Sequence, residues 1–344
     1  MKALQLPALN QPLALVDVPD LTPNANEVVI AIKAAALNHR DVFIQQGLYP
    51  SIALPVIPGS DGAGVVLAVG EGVDPVWLGR EVVINPGLNW GNNPAMNSPA
   101  FKILGMPDNG TFAEQVVVPL TNVYAKPQHL SFAEAAALPL AGLTAWRALM
   151  SRAGLSSQRT ERVLITGVGG GAALFALQFA VAAGAEVWVT SGSAEKLAKA
   201  QELGAKGGVN YKEADWHKML MKAATVDNPA LARVGYFDVI IDSAGGPDFA
   251  KLTQVAAPAA RIAFFGGTTG KITDVQPSVV FFKQLSIFGT TMGNDAEFAD
   301  MLQFVEKHQL VPVVDSVRPL AEGQAAFDRM NAGQQLGKLV LSVD

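Results

Sequence analysis

Cysteine is absent from the 344 residues of the sequence. Without cysteine the chain cannot form disulfide bonds, bind zinc through thiolates or use a cysteine nucleophile. Histidine is scarce as well, and the four histidines are far apart in the sequence: His39, His129, His217 and His308. A metal site built from histidine alone is therefore conceivable, but the spacing gives it no support.

Clusters of positive charge are missing too. The formal net charge is −5 and no basic cluster is present, so nucleic acid is not an expected partner. The first residues, MKALQLPALNQ, lack the apolar segment of a signal peptide, and we expect a soluble, cytoplasmic protein with no membrane partner. Half of the residues are apolar, and the length suits one large domain or two.

A glycine-rich turn lies at the centre of the stretch from residue 162 to residue 196. Residues 163–166 form a short apolar run typical of a buried strand, and residues 172–183 have the composition of an apolar helix. Residues 186–190 have the pattern of a second strand. The sequence therefore predicts a strand, a turn, a helix and a strand, in which the turn is formed by residues 167–171.

Glycines in such a turn let the backbone approach a pyrophosphate, and the helix that follows offers free N–H groups to the phosphates. Gly167, Gly169, Gly170 and Gly171 are therefore candidate dinucleotide contacts. Two alternatives remain open. Residues 163–185 carry no charge and are long enough to span a bilayer, although glycines interrupt them. A glycine-rich turn can also exist without a ligand.

The residues after the second predicted strand indicate which dinucleotide is bound. NAD sites usually have an Asp or Glu there, which bonds to the ribose hydroxyls. Here Ser191 and Ser193 are hydrogen-bond donors, and Lys196 brings a positive charge to the same corner. The absence of a carboxylate favours NADPH over NADH, unless Lys196 only begins a solvated helix face.

The order of the predicted elements divides the chain into two domains. Residues 1–123 contain many short strands with glycine turns, which is typical of a compact, barrel-like β domain. From residue 124 onward strands and helices alternate, which predicts a parallel, doubly wound sheet. Residues 313–344 predict a strand, a helix and a final strand that returns to the first domain.

Two helices are predicted near the start of the second domain. Ser131 and Glu134 form a capping-box pattern that begins the first helix. Pro139 is expected to break that helix, because proline lacks the N–H that a helix interior needs. A second helix is then expected at residues 142–153.

Four segments together resemble the medium-chain dehydrogenase/reductase superfamily, in particular its zinc-free quinone oxidoreductase-like branch. They are ALNHRD at residues 36–41, PGSDGAG at 58–64, LPLAGLTA at 138–145 and the glycine turn at 167–173. The resemblance covers essentially the whole chain. It implies an α/β protein with a GroES-like β-barrel catalytic domain at residues 1–123 and 297–344 and a Rossmann domain at 124–296. The active site is then expected in the cleft between these domains.

Departures from the zinc enzymes of this superfamily are equally informative. Asn38, Ser60 and Ala141 stand at positions where those enzymes have metal ligands. Residues 89–105 match a loop that holds a structural zinc through four cysteines, and they contain none. The resemblance therefore implies no metal. His39 is assigned a supporting structural role rather than that of a ligand or proton shuttle, because the co-ligands are missing.

The resemblance also suggests catalytic residues. Asn38 and Asp41 are expected at the cleft, where Asn38 contacts the substrate or the nicotinamide ribose. Thr144 is expected near the nicotinamide. Arg40 either orients a substrate oxygen or pairs with Asp41, and both interpretations remain open.

On the cofactor side, the resemblance adds Tyr211 near the 2′-phosphate. It also adds Gly266, Gly267 and Thr268, which follow a predicted strand and are expected beside the nicotinamide. Ser243, which follows another predicted strand, is a further candidate contact.

Without a metal, hydride transfer from NADPH requires an acceptor that is already poor in electrons. Quinones and α,β-unsaturated carbonyls meet this need, because hydrogen-bond donors can stabilise the developing oxyanion or enolate. We therefore predict a metal-independent NADPH-dependent oxidoreductase that reduces a quinone or an enone. Tyr49 and Trp90 are interpreted either as walls of its substrate pocket or as core residues.

Three alternatives to this function remain open. Two are enzymes of the same superfamily, a zinc-independent alcohol dehydrogenase and an enoyl reductase, and the third is a non-catalytic NADPH-binding protein. The strand predicted at residues 285–290 could pair across a two-fold axis, so a homodimer or homotetramer is expected.

Overall fold

The structure is a computed structural model that describes residues 1–343. Along the chain, the strands before residue 144 are β1 (Lys2–Gln5), β2 (Ala14–Asp17), β3 (Glu27–Ala36), β4 (Asp61–Val69), β5 (Glu81–Ile84), β6 (Gly87–Leu88), β7 (Lys102–Ile103), β8 (Gln115–Pro119) and β9 (Val123–Ala125). The strands that follow are β10 (Arg162–Ile165), β11 (Glu186–Ser191), β12 (Gly207–Asn210), β13 (Phe237–Asp242), β14 (Ala256–Phe264), β15 (Ser286–Gly289), β16 (Val314–Pro319) and β17 (Lys338–Ser342).

The α-helices are α1 (His39–Gln45), α2 (Phe132–Ala137), α3 (Pro139–Trp146), α4 (Gly171–Ala182), α5 (Ala194–Glu202), α6 (Trp216–Ala224), α7 (Leu231–Val234), α8 (Phe249–Val255), α9 (Pro277–Phe282), α10 (Asp295–Lys307) and α11 (Gly323–Asn331). Within residues 1–343, no helix combines the length and the apolar character that a bilayer crossing requires.

The chain folds into two compact units. The first comprises Met1–Leu143 and the chain from Gly293 onward, and the second is Thr144–Met292. The predicted domain boundaries, 123/124 and 296/297, therefore differ from these limits, mainly at residues 124–143. The reason is that α2 packs against β3, β4 and β17 of the first unit, where Ala135, Ala136 and Ala137 are buried.

The first unit is built around a sheet in the order β16-β17-β3-β4-β5-β9, with β8 also paired to β3. Its pairs are antiparallel except for β16 with β17. β17 returns to the first unit, as the sequence predicted, and pairs there with β3. The core of this unit contains fully buried aromatic and aliphatic side chains, among them Phe112, Phe327, Ile30 and Leu341. Their removal from water provides the main stabilisation of the sheet.

The second unit is a sheet in the order β12-β11-β10-β13-β14-β15, and every pair in it is parallel. This is the strand order of a doubly wound Rossmann fold, in which the order reverses between β10 and β13. The predicted α/β fold class is therefore confirmed. Residues 163–185 divide into β10, a turn and α4, so the alternative of a membrane span is wrong.

The two predicted helices around residue 139 had different outcomes. The capping box of α2 is confirmed, because Ser131 Oγ accepts from the N–H of Glu134 at 3.3 Å and Glu134 Oε2 accepts from the N–H of Ser131 at 2.8 Å. The next helix begins at Pro139 rather than at Gly142. Proline suits this first position, since the N–H that it lacks would have no partner within the helix. A π-helical segment, Arg147–Arg152, then continues the chain.

Candidate active site and cofactor site

A buried polar cluster lies where β3 ends in the first unit. Asn38 follows β3, Asp61 is the first residue of β4 and Lys338 is the first residue of β17. β3 lies between the other two strands in the sheet. Its pairing with β17 sets Ala36 opposite Val340, and the same register continued by two residues sets Asn38 opposite Lys338. The sheet therefore brings together residues that are 300 positions apart in sequence.

The three side chains form a closed hydrogen-bonded triangle. Nζ of Lys338 donates to Oδ1 of Asn38 at 2.7 Å and to Oδ2 of Asp61 at 2.9 Å, and Nδ2 of Asn38 donates to the same Oδ2 at 2.9 Å. The side chains of Lys338 and Asp61 are only 4% and 0% exposed. Oδ1 of Asp61 accepts from the N–H of Leu140 at 2.9 Å, in the first turn of α3. This buried ion pair therefore has the additional hydrogen bonds that compensate for its removal from water.

Asp41 lies in the first turn of α1 and is fully buried. Its Oδ2 accepts from the N–H of Asn38 at 2.8 Å, which stabilises the start of the helix. Its Oδ1 has no hydrogen-bond partner among the described residues. Burial raises the pKa of Asp41 from 3.8 to about 6, although the nearby charge of Arg40 acts in the opposite direction. Asp41 thus holds the backbone of Asn38, whereas Lys338 and Asp61 hold its side chain.

Arg40 is 7% exposed, and its hydrogen bonds go elsewhere than to Asp41. Nη1 donates to Oγ of Ser60 at 2.6 Å and to the carbonyl oxygen of Leu104 at 2.9 Å. Nε donates to the hydroxyl of Tyr49 at 3.4 Å, and the guanidinium lies 4.8 Å from the centre of that ring. Nη2 has no hydrogen-bond partner within residues 1–343. Arg40 therefore makes no hydrogen bond to Asp41, and its link to that carboxyl group is limited to the effect of its charge.

The residues at the three positions matched to metal ligands do not form a zinc site. Zinc in proteins is held by thiolate, imidazole or carboxylate groups. Asn38 offers an amide whose oxygen bonds to the ammonium of Lys338. Ser60 offers a hydroxyl that accepts from Arg40, and Ala141 has no donor atom. The described part of the chain also contains no group of three or more His, Cys, Asp or Glu side chains that could hold a metal ion.

Other residues considered near the site have simpler surroundings. His39 is exposed, and its ring lies 6.3 Å from that of Phe43. Trp90 is 3% exposed and packs edge-on against Phe101 at 5.2 Å, so it is a core residue of its loop. Tyr49 is half-buried. Of the two aromatic side chains proposed as pocket walls, only Tyr49 therefore contacts a predicted site residue, Arg40.

In the second unit, the glycine turn joins β10 to α4 beside the point where the strand order reverses. Gly167 and Gly169 have φ values of 64° and 130°, which residues with a Cβ atom rarely adopt. A Cβ at Gly170 would meet nothing within 4 Å, so the space before α4 is open. Gly170 is the N-cap, Gly171 is the first helical residue, and no side chain caps the helix. Its free N–H groups and positive dipole end therefore fit the diphosphate of a dinucleotide.

Three polar side chains lie near the glycine turn or the corner that follows β11. The aliphatic stem of Lys196 occupies the space that a Cβ on Gly169 would need, so this lysine lies across the glycine turn. A Cβ on Gly192 would lie 2.8 Å from Cε of Lys212 and 2.9 Å from the hydroxyl of Tyr211. Lys212 and Tyr211 thus line the corner where the sequence predicted a 2′-phosphate, and Lys196 lies beside the glycine turn.

The hydroxyl of Ser191 is engaged within the protein. Its Oγ donates to the carbonyl oxygen of Val168 at 2.9 Å, and the residue is 1% exposed. Ser193 accepts from the N–H of Lys196 at 3.4 Å and so caps α5. Both serines therefore maintain the shape of the corner. Donation from the Ser191 hydroxyl to a phosphate, as predicted, would require loss of its bond to Val168.

Ser243 connects the glycine turn with the loop after β14. A Cβ on Gly167 would lie 3.4 Å from Oγ of Ser243, and a Cβ on Gly266 would collide with the Ser243 carbonyl group. The loops that follow β10, β13 and β14 are therefore in close contact at one edge of the sheet. Gly267 and Thr268 are exposed in the last of these loops.

The predicted site residues form two groups, one in each unit. Asn38, Arg40 and Asp41 lie together in the first unit, and the predicted cofactor contacts lie around the glycine turn of the second. Thr144 is the first residue of the second unit and is 8% exposed. Its hydroxyl donates to Sδ of Met292 at 3.9 Å.

Known proteins share both units of this chain. A family model described as an alcohol dehydrogenase GroES-like domain matches residues 24–128, and a model described as a zinc-binding dehydrogenase matches residues 171–307. A zinc-type alcohol dehydrogenase-like protein of Leptosphaeria maculans is 38% identical over 347 residues, which cover 96% of this chain and 95% of the relative. The chain belongs to the medium-chain dehydrogenase/reductase superfamily.

Another superfamily member is a chloroplastic quinone-oxidoreductase homologue of Spinacia oleracea. It is 28% identical, and the match covers 95% of this chain and 92% of the relative. The crystal structure of an NAD-dependent alcohol dehydrogenase matches with a TM-score of 0.91 at 38% identity, over 100% of both chains. The predicted superfamily and its GroES-like and Rossmann folds are thus confirmed. As a member the chain is an oxidoreductase, and its glycine turn fits the nicotinamide cofactor that the superfamily binds.

Some residues of these sites were missed in the sequence. Asp61 stands inside the PGSDGAG segment that resembles the superfamily, so its position was a signal that could have been used. Lys212 directly follows Tyr211 and could have been found as a second cation for the same phosphate. Lys338 carries no motif of its own, and only the pairing of β17 with β3 reveals it.

Proposed function

We propose that this member of the superfamily is a metal-independent reductase that transfers a hydride from NADPH to a quinone or an α,β-unsaturated carbonyl. In this proposal the first unit is catalytic and the second binds the dinucleotide. Bound NADPH supplies the hydride, and a proton from solvent completes the reduction of a quinone to a hydroquinone or of an enone to a saturated carbonyl. The chain itself supplies binding, orientation and hydrogen-bond donors.

A single observation carries the proposal: cations of the protein bond to the side-chain oxygens at two positions where zinc enzymes of the superfamily have metal ligands. Lys338 bonds to Asn38, and Arg40 bonds to Ser60. An alcohol must lose a proton as well as a hydride, and a metal ion assists that step. A quinone or enone needs only donors for its developing oxyanion. The amide of Asn38 and the guanidinium of Arg40 are such donors.

The corner after β11 supports NADPH rather than NADH. Lys196 and Lys212 are cations, and Tyr211 brings a hydroxyl to the same place. No Asp or Glu stands at residues 190–194, so no carboxylate there would repel a 2′-phosphate. Ammonium groups near a phosphate form charge-assisted hydrogen bonds, which are stronger than those between neutral groups.

The remaining predicted residues take the following roles in this proposal. The N–H groups at the start of α4 bind the diphosphate at Gly167, Gly169, Gly170 and Gly171. Asn38 and Arg40 donate to the acceptor oxygen, and Asp41 fixes the backbone of Asn38. The nicotinamide half of the cofactor is contacted by Thr144, Ser243, Gly266, Gly267 and Thr268.

The test is the oxidation of NADPH and NADH by purified protein in the presence of a metal chelator. The acceptors are 1,4-benzoquinone, 9,10-phenanthrenequinone and a 2-alkenal. Turnover that is selective for NADPH and unaffected by the chelator supports the proposal. Preference for NADH contradicts the cofactor assignment, and loss of activity that only added zinc restores contradicts the metal-free mechanism.

Alcohol oxidation is the second candidate, and the likeness to the NAD-dependent alcohol dehydrogenase structure favours it. The same preparation should therefore be offered NAD⁺ or NADP⁺ with primary and secondary alcohols. Alcohol turnover that exceeds quinone and enone reduction would replace the proposed function. Tight NADPH binding with no turnover of any substrate would instead indicate a non-catalytic NADPH-binding protein.

We also propose that the protein is a homodimer, or a homotetramer, that uses the edge strand β15. Within residues 1–343 this strand pairs only with β14, so its outer edge is available for another strand. Ile287 on this strand is 37% exposed, and Phe281 and Phe282 just before it are 60% and 81% exposed. Light scattering should give a multiple of the 36.0 kDa chain mass, and Ile287→Lys should reduce it. A monomeric mass for the unmodified protein contradicts the proposal.

A further inference from the structure

We propose that Lys338 is a positioning residue for the Asn38 amide, which it orients and polarises as a donor toward the oxygen of the acceptor. This inference deepens the proposed function and rests on it. Lys338 touches neither cofactor nor acceptor in this scheme, since it acts only through Asn38. The starting observation is that the ammonium group bonds to the oxygen of Asn38 at 2.7 Å.

The position of Lys338 is set by the sheet and not by a flexible loop. Lys338 opens β17, which pairs with β3 up to Ala36, and Asn38 stands two residues beyond that end of β3. Asp61 opens β4 on the other side of β3. Asn38 is 7% exposed, and Lys338 and Asp61 are more deeply buried. Residues on rigid, paired strands hold a site more precisely than residues on loops do.

The two charges allow only one orientation of the Asn38 amide. Lys338 requires an acceptor and therefore faces Oδ1, and Asp61 requires a donor and therefore faces Nδ2. Rotation of the amide by half a turn would set Oδ1 against the carboxylate and Nδ2 against the ammonium. Both of those contacts are repulsive, and the low dielectric constant of the buried site makes them costly. The amide is therefore locked.

A locked amide still has one hydrogen-bond donor to offer. An asparagine amide carries two N–H bonds, and Asp61 accepts from one of them at 2.9 Å. The second N–H of Nδ2 is the donor that we assign to the acceptor oxygen. A cation on Oδ1 draws electron density through the amide, and chains of hydrogen bonds strengthen one another in a medium of low dielectric constant. Lys338 thus makes the remaining N–H of Asn38 a stronger donor.

Asp61 is itself held in place by further hydrogen bonds. Its second carboxylate oxygen, Oδ1, accepts from the N–H of Leu140 at 2.9 Å, and its carbonyl oxygen accepts from the hydroxyl of Thr111 at 2.8 Å. The carboxylate therefore cannot move toward Lys338 without losing its bond to the start of α3. Lys338 is held between two fixed acceptors, so its charge stays on Asn38.

The experiment is a double-mutant cycle on Asn38 and Lys338. We compare the unmodified protein, Asn38→Ala, Lys338→Met and the double variant, with NADPH and 9,10-phenanthrenequinone as substrates. Each single variant should lower kcat by about 10- to 100-fold, the range for one lost hydrogen bond to a charged group. If Lys338 acts only through Asn38, Lys338→Met should have no further effect on kcat in the Asn38→Ala background.

Conservative and matched controls separate positioning from a general structural role. Lys338→Arg keeps the charge and should restore part of kcat. Arg329 forms another ion pair in the same unit, in which its Nε lies 2.8 Å from Oδ2 of Asp315. Arg329→Met breaks this pair and should lower the melting temperature with kcat unchanged. The Kd for NADPH should be unchanged in every variant. A loss of kcat in Arg329→Met equal to that in Lys338→Met would overturn the inference.

Each outcome of the cycle is decisive. Additive effects of Asn38→Ala and Lys338→Met, with an active parent protein, overturn the inference and leave the proposed function intact. A parent protein that reduces no quinone or enone overturns the proposed function and the inference with it. Lys338→Met leaves the carboxylate of Asp61 without its cation, and this variant could fail to fold for that reason. In that case the variant Asp61→Asn/Lys338→Met, which lacks both charges, takes the place of Lys338→Met in the cycle.

Discussion

Replacing Asp41 with asparagine should change the pH dependence of folding stability in a defined direction. Asp41 is fully buried, Oδ2 accepts from the N–H of Asn38 at 2.8 Å, and Oδ1 has no partner among the described residues. Burial raises its pKa to about 6, against the charge of Arg40. Asparagine has nearly the same shape and keeps an oxygen for the Asn38 N–H, but it does not ionise.

The sign follows from proton binding. The pKa of Asp41 in the folded protein lies above 3.8, the ordinary value of an aspartate. The folded state therefore binds a proton at Asp41 more tightly than the unfolded state does. The stability of the unmodified protein therefore falls as the pH rises from about 4 through about 6, as the buried carboxyl group becomes charged. Asp41→Asn lacks this loss. A shift of two pKa units corresponds to about 3 kcal/mol at most, so its relative stability should rise by about 2 to 3 kcal/mol between pH 4 and pH 8.

The assay is urea unfolding of both proteins at a series of pH values, followed by circular dichroism with the m-value checked at each pH. Asp315→Asn is the control of opposite sign. Burial raises the pKa of Asp315, but hydrogen bonds from Arg329 and from the N–H of Leu336 outweigh this, so the pKa is lowered. Its carboxylate stabilises the fold above the unfolded pKa, and Asp315→Asn should lose stability at neutral pH. If the free energy of unfolding changed with pH in the same way for Asp41→Asn and the parent protein, the assignment of a raised pKa to Asp41 would be refuted.

Three further substitutions test other contacts. Lys196→Ala should raise the Kd for NADPH by about 10-fold or more, the effect of one lost charge-assisted bond, and leave the Kd for NADH unchanged in a fluorescence titration; equal losses for both cofactors would contradict the role of Lys196. Ser131→Ala should lower the free energy of unfolding by about 1 kcal/mol, because α2 loses its cap, and Ser131→Thr should retain most of it. At the end of α8, Nζ of Lys283 donates to the carbonyl oxygens of Thr253, Gln254 and Ala256 at 3.1, 2.7 and 2.8 Å. Lys283→Met should therefore lower the free energy of unfolding by about 1 to 3 kcal/mol, measured by thermal unfolding, with kcat unchanged.

Local sequence patterns predicted the parts of the fold that depend on neighbouring residues. The capping box at Ser131 depends on residues three positions apart, and the glycine turn depends on a strand and a helix that adjoin it. Both were found because the physical cause lies within a short stretch. The break expected at Pro139 is present, since α2 ends at Ala137, but the next helix begins at Pro139 itself and not at Gly142. Proline disrupts a helix interior but suits its first turn, and the sequence alone did not reveal which position it had.

Contacts between distant residues were not predictable in the same way. The cluster of Asn38, Asp61 and Lys338 requires the register of three strands from different parts of the chain, and a single sequence does not contain that register. Arg40 shows the same limit. Its neighbour Asp41 was an obvious partner in sequence, yet the helical backbone turns the guanidinium to Ser60 instead. The placement of residues 124–143 in the first unit likewise depends on packing against distant strands.

The division of the first unit by the second has a consequence for the order in which the protein is made. Translation delivers Met1–Leu143 first, then the whole of Thr144–Met292, and only afterwards β16 and β17. The second unit is contiguous and can fold while translation continues. The sheet of the first unit remains incomplete until then, because the edge of β3 at residues 34–36 lacks its partner strand β17. Asn38 therefore acquires its cation only after the cofactor-binding unit has been synthesised.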